Sequence, residues 1–366
     1  MNIAGHQQKD VHQETHLLKG FVSVIITVLN GEKWVNWCME TIMSQEDDTI
    51  REISVFDDSS TDSTVERLQK WSERFLKKSI KLIITRNTWG NPRGVGFGRN
   101  RAIEKSSGEY LCFLDIDDEM TPCRCSKQIQ AAKLQQNAII GGKFNRIPPD
   151  STARFTKWAN NLEKEKLKVQ IYTSHGPTVI MPTWFFHRNV FLAVGGFCEE
   201  GKGCPEDLIF FLKHLQLGGE VCRVDDIVLN YRYHEEATTF TIRWETIWHI
   251  RLKHLIENVL CKPPWNEGFA IWNAGKQGKR LYRDLPEDFQ KLVRCFYDVD
   301  AKKTRRTFQS YDPVMRKCGQ EIPILDFREA DPPIVICMKM DLTDGAFEDN
   351  IASLNLTEGV DYILFS

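Results

Sequence analysis

The residues of this chain best placed to do chemistry are acids that arrive at the ends of apolar runs. Leu114-Asp115-Ile116-Asp117-Asp118 closes the stretch that begins at Tyr110. Carboxylates crowded this closely repel one another, so a cation must offset them. A hard divalent ion with oxygen ligands, together with a bound diphosphate, would do so, and would neutralise charge on a departing phosphate oxygen. The plainer reading is a strand-end turn with solvated acids. Asp57-Asp58-Ser59-Ser60-Thr61-Asp62 follows a second apolar run. An Asp there can accept a hydrogen bond from the N3–H of uracil, while Ser60 or Asp58 caps the next helix; both can hold at once.

Three further segments carry candidates. Arg93 to Asn100 reads RGVGFGRN, in which glycines allow close backbone approach. Arg99 could pair with a diphosphate and Asn100 could orient a ribose, or the segment is a flexible loop with a surface Arg. Gly195-Gly196-Phe197 is followed by Glu206-Asp207, which open an apolar helix from Leu208 to Leu217. Acids in a first helical turn are favoured by the helix dipole, but a carboxylate aimed into a ligand crevice can also be a general base. Tyr231-Arg232-Tyr233-His234 ends on an imidazole that is either structural or a ligand of metal or diphosphate.

The elements that must position these groups alternate. Val22 to Leu29 is a near-continuous apolar run, as in a strand buried on both faces. Trp34, Val35, Cys38 and Ile42 form a helical stripe, as do Val65, Leu68, Trp71 and Phe75. Ile53 to Phe56, Ile80 to Thr85 and Tyr110 to Leu114 are further strands, and the Gly-rich loop leads to a helix through Ile103. Such repeats predict an α/β fold, with a mostly parallel Rossmann-like sheet flanked by helices. Ligands of such sheets sit at the carboxyl ends of the strands, where Asp57, Asp58, Asp115 and Asp117 fall.

From Phe240 to about Phe308 the pattern predicts helices, rich in Trp and basic residues. Between Lys276 and Arg306 there are ten Lys/Arg against five Asp/Glu; from Gly319 to Ser366 there are two against ten. Ile334 to Met338 and Tyr362 to Phe365 predict strands. The expected organisation is a polar N-terminal extension over 1–20, a catalytic domain over 21–239 and an accessory region over 240–366. That accessory region reads as a mainly helical appendage with a short terminal α/β segment.

Composition narrows the class. The chain has 366 residues and a formal net charge of −2, so any contact with nucleic acid or membrane needs a local patch. Its first 20 residues are polar and no apolar run approaches ~20 residues, so neither a secretion signal nor a membrane span is expected. Eleven Cys, an odd number without a C-x-x-C pair, read as free thiols of a reducing compartment, and the expected location is the cytoplasm.

In order and spacing, DDSSTD, G-x-G-x-G-R-N, LDIDD, GGF…ED and YRYH together resemble the family 2 inverting glycosyltransferases of GT-A fold. The resemblance covers about Phe21 to Thr239. It implies that Asp57 holds uracil, with Thr27, Asn30, Glu32, Asp58, Arg99 and Asn100 also on the donor side. Asp115 and Asp117 would be the D-x-D pair, with Asp117 the foremost metal ligand and Asp118 nearby. His234 would stand by the metal or diphosphate, the metal being manganese, or magnesium. Asp207 would deprotonate the acceptor hydroxyl, with Glu206 beside it and Trp184 as a wall against the sugar. Thr27, Leu29 and Ser59 replace the Pro, Tyr and Gly common in the family, which alters turns more than chemistry. The Q-x-x-R-W of the membrane-embedded polysaccharide synthases is absent; Arg243-Trp244 lacks the Gln.

Phe269-Ala270-Ile271-Trp272-Asn273-Ala274-Gly275-Lys276-Gln277-Gly278-Lys279-Arg280-Leu281-Tyr282 resembles the vertebrate transferases that galactosylate queuosine in tRNA. That similarity implies UDP-galactose as donor and the cyclopentene-diol of queuosine in tyrosine tRNA as acceptor. Lys276, Lys279, Arg280, Arg283, Lys302, Lys303, Arg305 and Arg306 would then meet RNA phosphates, or else lie on a solvated helix face. Two other functions stay open: transfer of N-acetylglucosamine or another hexose to a glycan or protein, and a silent nucleotide-sugar-binding module.

Overall fold

The apolar runs of the first half become neighbouring strands of one sheet. The computed structural model describes residues 18–312, 316–340 and 342–366, so most of the expected N-terminal extension lies outside the described residues. The first sheet is built from β1 (Leu18–Val28), β2 (Ile50–Asp57), β3 (Lys81–Arg86), β4 (Gly108–Phe113), β5 (Glu119–Met120), β6 (Ala138–Ile147), β7 (Phe185–His187) and β8 (Glu220–Arg232). Their order is β3-β2-β1-β4-β7-β6-β8-β5. The half that carries the first two acid motifs is parallel: β1 lies between β2 and β4, with Val28 opposite Asp57. β1 is buried on both faces, since Val24 and Ile26 pack in one core and Ile25 in another. This explains its unbroken apolar run.

Helices cover both faces. α1 (Val35–Met43), α2 (Thr64–Lys77), α3 (Val95–Lys105), α4 (Arg124–Leu134), α5 (Ala153–Asn161), α6 (Arg188–Val194) and α7 (Glu206–Gln216) accompany the first sheet. α2 buries Leu68, Trp71 and Phe75 as its periodicity predicts, but it starts at Thr64, and Ser60 does not cap it. The Ser60 hydroxyl instead accepts from the Asn30 backbone N–H at 2.8 Å.

The second half departs from the sequence reading. α8 (Trp244–Leu255) and α9 (Lys276–Asp284) are helices as expected. The region is not mainly helical, however: it carries a six-stranded sheet of β9 (Phe269–Trp272), β10 (Val293–Asp298), β11 (Arg306–Asp312), β12 (Lys317–Asp326), β13 (Ile334–Ile336) and β14 (Tyr362–Leu364), in the order β11-β12-β10-β9-β13-β14. Phe269–Trp272 and Val293–Asp298 are short apolar runs that periodicity alone cannot tell from buried helix. All four residues of β9 are buried, between β10 on one side and β13 on the other. The two sheets share one core, in which Tyr172, Trp248 and Leu252 join Ile271, Phe296 and Phe365.

Candidate active site

The parallel register delivers Asp57 and the 115–118 acids to the same edge. Asp57 ends β2 and is fully buried; its Oδ2 accepts from the Arg86 Nε at 3.1 Å and from the Ser60 N–H at 3.3 Å. Its Oδ1 is buried without a partner among the described residues, an open acceptor at a strand end. Asp58, expected on the donor side, is turned onto the Gly-rich loop instead. Its carboxylate accepts from the N–H groups of Arg93 and Gly94 and from the Asn87 amide, each at 2.8 Å at the nearest oxygen. Asn30 and Glu32 likewise clamp the 57–64 turn: the Asn30 Oδ1 accepts from the Thr61 N–H at 2.8 Å and the Glu32 Oε2 from the Ser63 N–H at 3.0 Å. Thr27, half-buried on β1, lies under α3, where a Cβ added to Gly98 would come 2.8 Å from its methyl.

Beyond β4 the chain turns at Asp115, whose carbonyl accepts from the Asp118 N–H. Short antiparallel pairing of β5 with β8, Glu119 opposite Asn230, brings the YRYH segment alongside. The His234 Nε2 then stands 2.7 Å from the Asp117 Oδ2. The His234 Nδ1 is buried and unpartnered among the described residues, and its ring lies against Trp34. Asp118 is almost wholly buried and accepts from the Arg232 N–H at 2.8 Å. Its Oδ1 therefore fastens β8, while its Oδ2 is buried without a partner among the described residues. Burial, then the charges of Asp117 and Asp115, push its carboxyl well above the usual range.

Arg99 connects the D-x-D turn to the fourth motif. From α3 its buried guanidinium reaches Asp115 Oδ1 at 3.0 Å and also pairs with Glu206. Burial disfavours its charge, but Asp115, Glu206 and Asp207 outweigh that and raise its pKa. The acids respond in kind. Burial raises Asp115, Arg99 opposes this, and Asp117 adds to the rise. Burial pushes Glu206 up to about 7 against the pull of Arg99, helped by the Asp207 charge. Asp207 is also raised, mainly by burial. Its Oδ1 accepts from the Leu208 N–H at 2.7 Å, and its Oδ2 faces Gly176.

Two expected ligand contacts are replaced by structural ones. Asn100 does not reach outward to a ribose: its Oδ1 accepts from the Phe197 N–H and its Nδ2 donates to the Phe197 carbonyl, both at 2.9 Å. The amide pins Gly196-Phe197, next to Gly195 and Gly196 at φ 85° and 96°. Trp184 is no wall of an open pocket. It is fully buried among Phe197, Phe210 and Phe211, its Nε1 donating to the Val179 carbonyl at 2.9 Å. An aromatic residue after a Pro-Thr turn reads equally as wall or core from sequence.

By type, the carboxylates of Asp115 and Asp117 and the imidazole of His234 suit a hard divalent ion, but only Asp117 and His234 are brought together, while Asp115 turns to Arg99. Burial, and after it the charge of neighbouring acids, raises Asp115 and Asp118, and such an ion would relieve the second of these. The sequence missed one cluster. Cys198, Glu200 and Cys204 place their ligand atoms within 4.8 Å of one another in the loop before α7. The C-x5-C spacing was its only signal.

The basic candidates divide. Arg280 stacks on Trp244 and Trp248, 4.1 and 4.9 Å from the ring centroids, and pairs with Asp284, so it is a packing residue. Lys303 pairs with buried Asp298 at 3.0 Å, and Lys279 lies over Phe308. Lys276, Arg283, Lys302, Arg305 and Arg306 are exposed.

Residues 23–195 match the family described as Glycosyl transferase family 2, so this stretch is a glycosyltransferase domain, and its α/β architecture is that of the GT-A fold. Among named relatives, EpsJ, a Bacillus subtilis glycosyltransferase, is 23% identical over 323 residues, covering 81% of this chain and 89% of its own. EpsH of the same organism is 29% identical over 119 residues, 32% of each chain. A poly(ribitol-phosphate) beta-glucosyltransferase of Bacillus spizizenii is 30% identical over 172 residues, 46% of this chain and 26% of its own. The chain thus spans about a third or less of two of these relatives. In three dimensions it is similar to S. aureus TarS 1-349 in complex with UDP-GlcNAc, with a TM-score of 0.53 at 17% identity, over 74% of this chain and 71% of that one.

Proposed function

We propose that the protein transfers galactose, with inversion, from UDP-galactose to the cyclopentene-diol of queuosine in tyrosine tRNA. The observation that carries the transfer chemistry is Arg99, which gathers Asp115 and Glu206 onto one buried guanidinium beside Asp207. Asp57 offers its unpartnered Oδ1 to the uracil N3–H. Asp117, Asp115 and His234 would hold manganese or magnesium, which when bound stabilises the diphosphate as it leaves. Asp207, kept basic by burial, takes the acceptor proton as the hydroxyl attacks the anomeric carbon opposite UDP. Remote contacts at Asp57 supply binding energy that orients the reacting carbon.

Support for an RNA acceptor comes from the similarity of segment 269–282 and from the exposed cations Lys276, Arg283, Lys302, Arg305 and Arg306. No helix among the described residues is long and apolar enough to cross a membrane. A second reading, transfer of N-acetylglucosamine to a glycan or protein, draws on the UDP-GlcNAc complex of the similar S. aureus fold. A donor-by-acceptor assay decides between them: labelled UDP-galactose and UDP-N-acetylglucosamine against fully modified tRNA and against glycans. If tyrosine tRNA neither binds in a salt-dependent way nor accepts label, the tRNA reading falls.

A further inference from the structure

Between Phe197 and α7 the chain makes a short loop that carries two thiols and a free carboxylate. Both ends of the loop are fixed: Asn100 pins Phe197, and Pro205 leads into Glu206 and Asp207 at the start of α7. Its body is pressed onto the start of α3. A Cβ on Gly96 would meet the Cys198 carbonyl oxygen at 2.0 Å, and one on Gly94 would meet the Gly201 Cα at 2.8 Å. Gly201 and Gly203 take φ of 86° and 87°, a left-handed conformation that residues with a Cβ rarely adopt. The Cys204 N–H then donates to the Gly201 carbonyl at 3.2 Å. The chain so turned back on itself returns the Cys204 thiol to that of Cys198. Glu200 comes to the same point: one ligand atom from each of Cys198, Glu200 and Cys204 lies within 4.8 Å of the others.

Two thiols and a carboxylate that converge are the donor set of a thiophilic divalent ion. Around one tetrahedral zinc the donor atoms stand about 3.5–3.8 Å apart, so these three need to close by about an ångström, which side-chain rotation supplies. The neighbouring acid is already taken: the Glu199 carboxylate accepts from Asn100 Nδ2 at 2.7 Å and from Arg101 at 3.2 Å. Glu200 is the acid of the loop that turns to the thiols. Cys198 and Cys204 are half-buried and Glu200 is exposed, so an ion can enter from solvent and a water can complete its fourth position. Thiolates select zinc, whereas manganese and magnesium prefer oxygen donors such as those of the D-x-D turn. A second thiol pair, Cys112 with Cys125, is fully buried and has no third His, Cys, Asp or Glu donor among the described residues.

We propose that Cys198, Glu200 and Cys204 bind a zinc ion that fastens the loop leading into Glu206 and Asp207, at a site separate from Asp117 and His234. Zinc content is read without turnover, so the transfer reading can fail while this site stands. The test takes the full chain, purified under reductant, loaded with zinc and dialysed against zinc-free buffer. One equivalent of zinc should remain by elemental analysis, and cobalt in its place should give a near-ultraviolet thiolate-to-cobalt charge-transfer band. Cys198→Ser and Cys204→Ser, each checked for an unchanged circular dichroism spectrum, should lose both the zinc and the band. Asp117→Ala should keep them, as should the double variant Cys261→Ser with Cys318→Ser, which removes the two exposed thiols. In the wild-type chain, zinc should slow trypsin cleavage after the exposed Lys202 about tenfold or more. The proposal is overturned if the wild-type chain retains no zinc, if zinc leaves cleavage after Lys202 unchanged, or if both serine variants keep the ion and the band.

Discussion

Arg99 is the residue on which the donor crevice is organised, because it meets carboxylates from two separate motifs. A single buried cation facing three acids leaves protons on some of them, and Glu206 holds its proton to about pH 7 in the folded chain against an ordinary value of 4.5. Between those values the folded state binds more protons than the unfolded one. Stability therefore declines as pH rises through that window. Thermal melts from pH 5 to 8 should show this decline, and Glu206→Gln should flatten it. Asp207→Asn should cost about 10²–10⁴-fold in turnover while UDP binding with manganese survives; turnover near wild type would remove Asp207 as the base. Trp184→Ala should act through stability, lowering it by about 3–5 kcal/mol in denaturant titrations. A raised KM with unchanged stability would restore its reading as a sugar wall. These cases show what single residues reveal. The positions of Asp57 at the end of β2 and of Asp117 just beyond β4 were legible because an apolar run delivers each of them there. Asn100 and Trp184 were not, because an amide or an indole carries no mark of whether it faces a ligand or its own backbone.

At the scale of elements, the first sheet was readable because its strands are long and separated by amphipathic helices with one clear stripe. In the second, β13 and β14 fall within the two runs read as strands, but β9 and β10 were missed, because short apolar runs such as Phe269–Trp272 have no period to measure and a basic helix between them dominates the composition. The close approach of α3 to the 196–199 segment is specific to Gly96, where a Cβ would meet the Cys198 carbonyl oxygen at 2.0 Å. Gly96→Ala must push the loop that precedes Asp207, so we expect turnover to fall with a smaller change in melting temperature. Arg280→Ala removes the guanidinium that packs on Trp244 and Trp248, and should cost about 0.5–2 kcal/mol in a denaturant titration, whatever it does to RNA binding.

The whole molecule is joined where its last residues return to the first sheet's side. The Ser366 N–H donates to the Tyr172 carbonyl, and Arg251 donates to the carbonyls of both Tyr172 and Ser366, each at 3.1 Å. Phe365 lies edge-on to Trp248 at 4.8 Å. Core shared this way makes the halves melt together, so calorimetry should record one endotherm rather than two. The exposed Lys262-Pro263 link between α8 and β9 lies outside this clasp. A protease that severed it would release nothing: the pieces should co-elute on gel filtration and part only in denaturant.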